Sequence, residues 1–103
     1  RAEEFHEVVR RSEPTKAALV AAGRWFEHGR RDVPRVALTF DDGPDPEHTR
    51  SVLELLDRYG VRATFFCVGQ HAAALPDELR RIADAGHEVG NHSWSHPFLA
   101  DLT

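Results

Sequence analysis

Two carboxylates stand side by side at Asp41-Asp42, and two imidazoles stand four residues apart at His92 and His96. Adjacent like charges repel, so an Asp-Asp pair followed by Gly43-Pro44 calls for a compensating positive charge. A divalent cation supplies one. Two histidines and one carboxylate, with positions left open for water and substrate, make a catalytic rather than a structural metal site. Residues i and i+4 share a face on one helical turn, so a helical His92-Ser93-Trp94-Ser95-His96 would aim both rings at one ion. One aspartate would complete the set, and its neighbour would stay free to accept a proton from a water activated at the metal. Successive side chains of a strand point to opposite faces, which suits two adjacent aspartates to different roles. The turn at Gly43-Pro44 can then re-aim the second. Each half also has a plainer reading. Asp-Asp-Gly-Pro is ordinary turn chemistry after a strand, and two histidines on a surface helix would give the same spacing.

The elements around these residues bring the two halves to one place. Arg35 to Phe40 reads as a strand, with Val36, Leu38 and Phe40 on one face and Ala37 and Thr39 on the other. Asp45-Pro46 supplies a capping carboxylate and a proline at the first helical position. The helix that follows runs to about Tyr59, lined by Val52, Leu55, Leu56 and Tyr59, and Gly60 ends it. Val61 to Val68 is a second, mostly apolar strand of the kind buried on both faces. Ala72 to Leu75 forms a helical turn. Pro76 opens a helix through Asp84, with Leu79, Ile82 and Ala83 inward and Gly86 as its stop. His87 to Asn91 is a third strand that runs into His92. The order β-α-β-α-β implies parallel strands with crossover helices. Active sites of such sheets lie beyond the carboxyl ends of the strands. Asp41-Asp42 follows the first strand and His92 the third, so both fall on one rim.

The other histidines and the lone cysteine read as structural. His48 lies near a helix start and faces solvent, His71 and His87 lie at element ends where a ring can bond the backbone, and His6 and His28 lie outside the sheet. Cys67 sits in a buried strand, where inert packing is expected. Phe65 and Phe66 read as core, and Trp94 as aromatic packing beside the site.

Residues 1–34 form a helical lead-in or linker. Glu3 to Arg11 is one helical piece and Lys16 to Glu27 another, with Leu19, Val20 and Phe26 apolar and Pro14 between the two. The chain of 103 residues suits one small domain; 41% of it is hydrophobic and 29% charged, as in soluble globular proteins. A net charge of -4 gives no basic footprint for nucleic acid or an anionic membrane. The longest uninterrupted apolar stretch, Ala17 to Ala22, is too short to span a bilayer or to form the core of a signal peptide. The chain begins with Arg1 rather than Met, as a processed, trimmed or excised chain would.

Thr39 to Pro44 (T-F-D-D-G-P) and Asn91 to Pro97 (N-H-S-W-S-H-P) resemble the first two motifs of the polysaccharide deacetylases, the carbohydrate esterase 4 group with its NodB homology domain. Ala63 to Gly69 (A-T-F-F-C-V-G) and Ala85 to His92 (A-G-H-E-V-G-N-H) are similar to the strands that join those motifs. The resemblance covers roughly residues 33–103. It implies a distorted (β/α) barrel, here the partial βαβαβ arc of parallel strands that residues 35–103 would form. It implies Asp41 as catalytic base, and Asp42, His92 and His96 as ligands of a divalent metal, usually zinc. It implies hydrolysis of N-acetyl groups, in some members O-acetyl groups, on a glycan such as chitooligosaccharide or peptidoglycan. An extracellular or envelope location goes with such substrates. The family's later motifs, including the general-acid histidine and the oxyanion-stabilising donor, have no match before Thr103. Residues 35–103 therefore read as the N-terminal part of a catalytic domain, with Thr103 as the N-cap of a further helix, and the 103 residues alone are expected to be inactive. The alternative is a truncated metal- and glycan-binding module without turnover. An iron oxygenase with two histidines and one carboxylate is disfavoured, because those usually sit on double-stranded β folds.

Overall fold

The computed structural model describes residues 2–102; the N-cap expected at Thr103 lies outside them. The chain divides into two compact units, Val36–Pro97 and Arg1–Arg35 with Phe98–Thr103.

In the second of these, helix α1 runs unbroken over Ala2–Ala21 with Pro14 inside it, where two pieces separated at Pro14 were expected. An internal proline removes one backbone bond and costs about 3 kcal/mol. The flanking run of Lys16, Ala17, Ala18 and Leu19 consists of strong helix formers, which carry the helix past it. The helix stops at Ala21, short of the expected Glu27. Gly23 turns left-handed at φ 68°, and the N–H groups of Gly23 and Arg24 close on the carbonyls of Val20 and Leu19 at 3.0 and 2.8 Å. Phe26, expected on the helix's apolar side, is left exposed. A short 3-10 turn at Leu99–Asp101 packs against α1.

The unit Val36–Pro97 holds strand β1 (Thr39–Asp41), helix α2 (His48–Tyr59), strand β2 (Thr64–Cys67), the short helix α3 (Gly69–Ala74), helix α4 (Pro76–Asp84) and strand β3 (Glu88–Asn91). The three strands form one sheet in the order β1-β2-β3, and both pairings are parallel. Thr39 pairs with Thr64, and Thr64 in turn with Glu88, so the carboxyl ends of all three strands share one rim. The strands are shorter than the apolar runs suggested. A strand persists only where a neighbour offers partners, and β2 begins at Thr64 because the chain leaving α2 is still turning. Gly60 is left-handed at φ 63°, and Val61 N–H closes on Leu56 O at 2.9 Å. Val36, expected in the first strand, is consequently 92% exposed.

The core lies on the helix-covered face of the sheet. Leu56, Ala63, Phe65, Cys67 and Ile82 are buried together, with Phe40, Val52, Leu53 and Leu79 packed against them. Phe40 and Phe65 stack with ring centroids 5.1 Å apart. Helix α2 turns Thr49, Val52, Leu53 and Leu56 inward, whereas Leu55 and Tyr59, expected inward, are exposed. The Thr49 hydroxyl fixes that rotation by accepting the Asp45 N–H at 2.8 Å. Asp45 Oδ1 accepts the N–H groups of Glu47 and His48 at 2.9 and 2.6 Å, but α2 begins at His48 with Glu47 at its N-cap, two residues after the expected start at Pro46. Those two donors, that of His48 first, hold the Asp45 carboxyl below the usual range. In α4 Ile82 is fully buried as expected, but Ala83 is exposed and Glu78 takes an inward place. Glu78 Oε1 accepts both Arg50 Nη2 and Nε, at 2.7 and 2.9 Å, which ties α4 to α2. The charge partner is what lets a glutamate be buried.

Candidate metal centre

Strand β1 ends by setting Asp41 opposite Phe66. The next peptide still bonds the sheet, with Asp42 N–H to Phe66 O at 3.2 Å. Asp42 then leaves the strand at φ 73°. The Gly43-Pro44 peptide that follows it is cis. Aspartate is among the few residues with a side chain that tolerate this left-handed region.

Strand β3 delivers His92, whose N–H bonds Cys67 O at 3.0 Å. The residues that follow do not form the helical turn expected for His92 to His96. They form a loop with Ser93 and His96 both left-handed, at φ 64° and 55°. Side chains compete here with helical backbone bonds. Asn91 Oδ1 accepts the Ser93 N–H at 2.8 Å, and Ser93 Oγ accepts the His96 N–H at 2.9 Å. Pro97 adds to this by disfavouring right-handed helix at His96. The Ser93 and Trp94 carbonyls accept the N–H groups of Gly69 and Gln70 at 2.8 and 2.9 Å, which seats the loop on the start of α3. The approach is close: a Cβ on Gly69 would lie 2.5 Å from Trp94 Cε3. Asn91 and Ser93 escaped the reading of the sequence as supporting residues. The signal was present, since Asn and Ser two residues apart after a strand are typical of side-chain-closed turns.

Asp42, His92 and His96 converge at the rim, with one ligand-capable atom from each within 4.8 Å of the others. Asp42 Oδ1 lies 3.1 Å from His92 Nε2 and 3.3 Å from His96 Nε2. Donors about 2.0–2.1 Å from a tetrahedral ion sit about 3.3 Å from one another, which the two Asp42–histidine spacings match. The centre is open, with the His92 side chain 31% exposed, His96 58% and Asp42 66%. Asp41 is exposed on the same rim. Among the described residues this is the group of three His, Cys, Asp or Glu side chains placed to hold an ion.

The histidines read as structural do bond the backbone where that was expected. His71 Nδ1 lies 2.7 Å from Asp42 O, and His87 Nδ1 accepts the Ala63 N–H at 3.1 Å. His48 is exposed beside Asp45. Cys67 is buried, and burial pushes its thiol pKa up, away from the reactive thiolate. Trp94 is 61% exposed and lies over Gly69.

The polysaccharide deacetylase family profile matches residues 28–103. The chain belongs to that family. A peptidoglycan-N-acetylglucosamine deacetylase of Bacillus cereus is 54% identical over 67 residues, covering 65% of this chain and 24% of its own. A chitooligosaccharide deacetylase of Rhizobium leguminosarum bv. trifolii is 45% identical over 74 residues, 72% of this chain and 34% of its own. Among solved structures, a peptidoglycan N-acetylglucosamine deacetylase in complex with a naphthalenyl N-oxidanyl-benzamide superposes with a TM-score of 0.72 at 48% identity, over 73% of this chain and 35% of that one. A family 4 acetyl xylan esterase from Clostridium thermocellum, in complex with a cobalt ion, gives 0.61 at 50% identity, over 65% and 33%. The chain thus spans about a quarter to a third of the length of these relatives. It shares the α/β fold of the deacetylases, and its parallel strands are consistent with part of their distorted (β/α) barrel. No helix among the described residues is long and apolar enough to cross a membrane.

Proposed function

We propose that this chain carries the metal-binding rim of a hydrolase that removes acetyl groups from a polysaccharide, N-acetyl first and O-acetyl as the alternative bond. The observation that carries the reading is the convergence of Asp42, His92 and His96 at the carboxyl ends of β1 and β3. These three residues would hold a divalent ion, with zinc the first candidate; bound there, it would polarise the acetyl carbonyl and lower the pKa of water. Asp41, exposed on the rim next to a ligand, is the carboxylate we assign as general base. It would take a proton from the water as the water oxygen bonds to the acetyl carbonyl carbon; the carbon–nitrogen bond would then break with that proton passed to the leaving nitrogen, giving acetate and a free amine. The exposure of the rim suits a polymer substrate, which must lie across the centre.

The relatives' names support an acetylated glycan, peptidoglycan or chitooligosaccharide, as substrate, and peptidoglycan would place the protein outside the cell or in its envelope. We assign residues 35–103 to the N-terminal part of the catalytic domain and residues 1–34 to a helical lead-in. A second reading is a metal- and glycan-binding module without turnover. Acetate release from acetylated peptidoglycan and chitooligosaccharide by the full-length protein that contains this chain, measured beside metal content, separates these. Asp42→Ala should lose both metal and release. Asp41→Ala should keep the metal and lose release. An Asp41→Ala protein stripped of metal would reverse the two roles, and glycan binding without any release would favour the second reading.

A further inference from the structure

Four hydrogen bonds join the short segment at the start of α3 to both halves of the centre. On the Asp42 side, Val68 N–H reaches Gly43 O at 2.8 Å, and the His71 ring reaches Asp42 O through Nδ1 at 2.7 Å. On the histidine side, Gly69 and Gln70 donate their N–H groups to Ser93 O and Trp94 O at 2.8 and 2.9 Å. Three of these bonds are backbone to backbone, which almost any sequence could make. The fourth is made by a side chain, and it acts on the residue whose backbone is least ordinary. Asp42 is left-handed at φ 73°. Its N–H is fixed by Phe66 O at 3.2 Å, and its C=O is fixed by His71. With the peptides on both sides held, the carboxylate keeps only its two side-chain torsions. A carbonyl oxygen can only accept, so the proton must sit on His71 Nδ1.

We infer that His71 is a positioning residue, whose Nδ1–H holds the Asp42 carbonyl and so aims the Asp42 carboxylate at the ion. This rests on the reading of Asp42, His92 and His96 as metal ligands. His71 is itself exposed, so replacing it removes the bond without opening a core cavity. Loss of a residue that orients a ligand typically weakens metal binding 10- to 100-fold. The lower end applies here, because the bond is to the ligand's backbone.

The test is a titration of the full chain with Co2+, followed by visible absorption, with thermal melting recorded for each variant. His71→Leu should weaken binding about 10-fold. His71→Asn should stay within about threefold of wild type, because the Asn side-chain N–H2 lies as many bonds from Cα as His Nδ1. His71→Gln, one methylene longer, should resemble His71→Leu. Equal affinity in wild type and His71→Leu would overturn the inference. So would equal weakening in His71→Asn and His71→Gln, a comparison that decides the matter even if His71→Leu does not fold. Failure of the wild type to take up Co2+ would instead overturn the metal-ligand reading itself.

Discussion

Replacing Ser93 tests how the histidine loop is held. Ser93 is left-handed at φ 64°, a conformation that costs a residue with a side chain about 1–2 kcal/mol relative to glycine. Its Oγ accepts the His96 N–H at 2.9 Å, a bond with a net worth of about 0.5–1.5 kcal/mol. Ser93→Ala keeps the backbone cost and loses the bond, so it should destabilise the ion-loaded protein by about 1 kcal/mol. Ser93→Gly loses the same bond but relieves the backbone. The two changes oppose each other, and this variant should fall within about 0.5 kcal/mol of wild type. Chemical denaturation in saturating Zn2+ is the assay, because loss of ion affinity and loss of loop stability then add in one free energy. The expected order is wild type close to Ser93→Gly, and both above Ser93→Ala. A Ser93→Ala protein as stable as wild type would show that the hydroxyl holds nothing. A Ser93→Gly protein below Ser93→Ala would show that the backbone geometry is misassigned.

Further expectations concern the scaffold. The Arg50 guanidinium holds the Glu78 carboxyl below the usual glutamate range, so Glu78 favours the folded state above its unfolded pKa. That contribution fades as pH falls through the lower folded value. Thermal melting of metal-free protein from pH 7 downward should show this loss, and Glu78→Gln should give a shallower pH dependence; an unchanged slope would count against the pair. Ile82 is 0% exposed, so Ile82→Ala should cost about 2–5 kcal/mol and Ile82→Val about 0.5–1.5 kcal/mol in urea denaturation. A loss below 1 kcal/mol for Ile82→Ala would mean that the α4 contact is not the core it looks to be.

How far the sequence could be read depended on which interactions set each feature. The alternation of strands with crossover helices and the stop at Gly60 depend on neighbouring residues, and both were legible; Asp45 was legible as an acceptor ahead of α2, though the helix starts two residues later than read. The shared rim for Asp41-Asp42 and His92 was legible too, because parallel strands leave no other arrangement. Strand lengths were overestimated, since the paired register begins only at Thr39 and Thr64; Leu38 O still accepts the Thr64 N–H at 3.0 Å, while Val36 lies ahead of the pairing. The inward face of α2 was rotated because Thr49, a polar residue, faces the core through a bond to Asp45 that hydropathy does not register. The His92 to His96 spacing fits a helical turn and fits a loop equally well. Asn91, Ser93 and Pro97 decide between them by bonds and exclusions that act over two or three residues. The contact of His71 with Asp42 joins positions 29 apart in the chain and could come only from the fold.

The central claim is that Asp42, His92 and His96 bind one divalent ion. Crystals of the protein grown with Zn2+ and measured at the zinc absorption edge would test it most directly. The expected result is one anomalous peak about 2.0–2.2 Å from Asp42 Oδ1, His92 Nε2 and His96 Nε2, absent in Asp42→Ala crystals. A strong peak elsewhere, or none at this rim with the three side chains ordered, would contradict it.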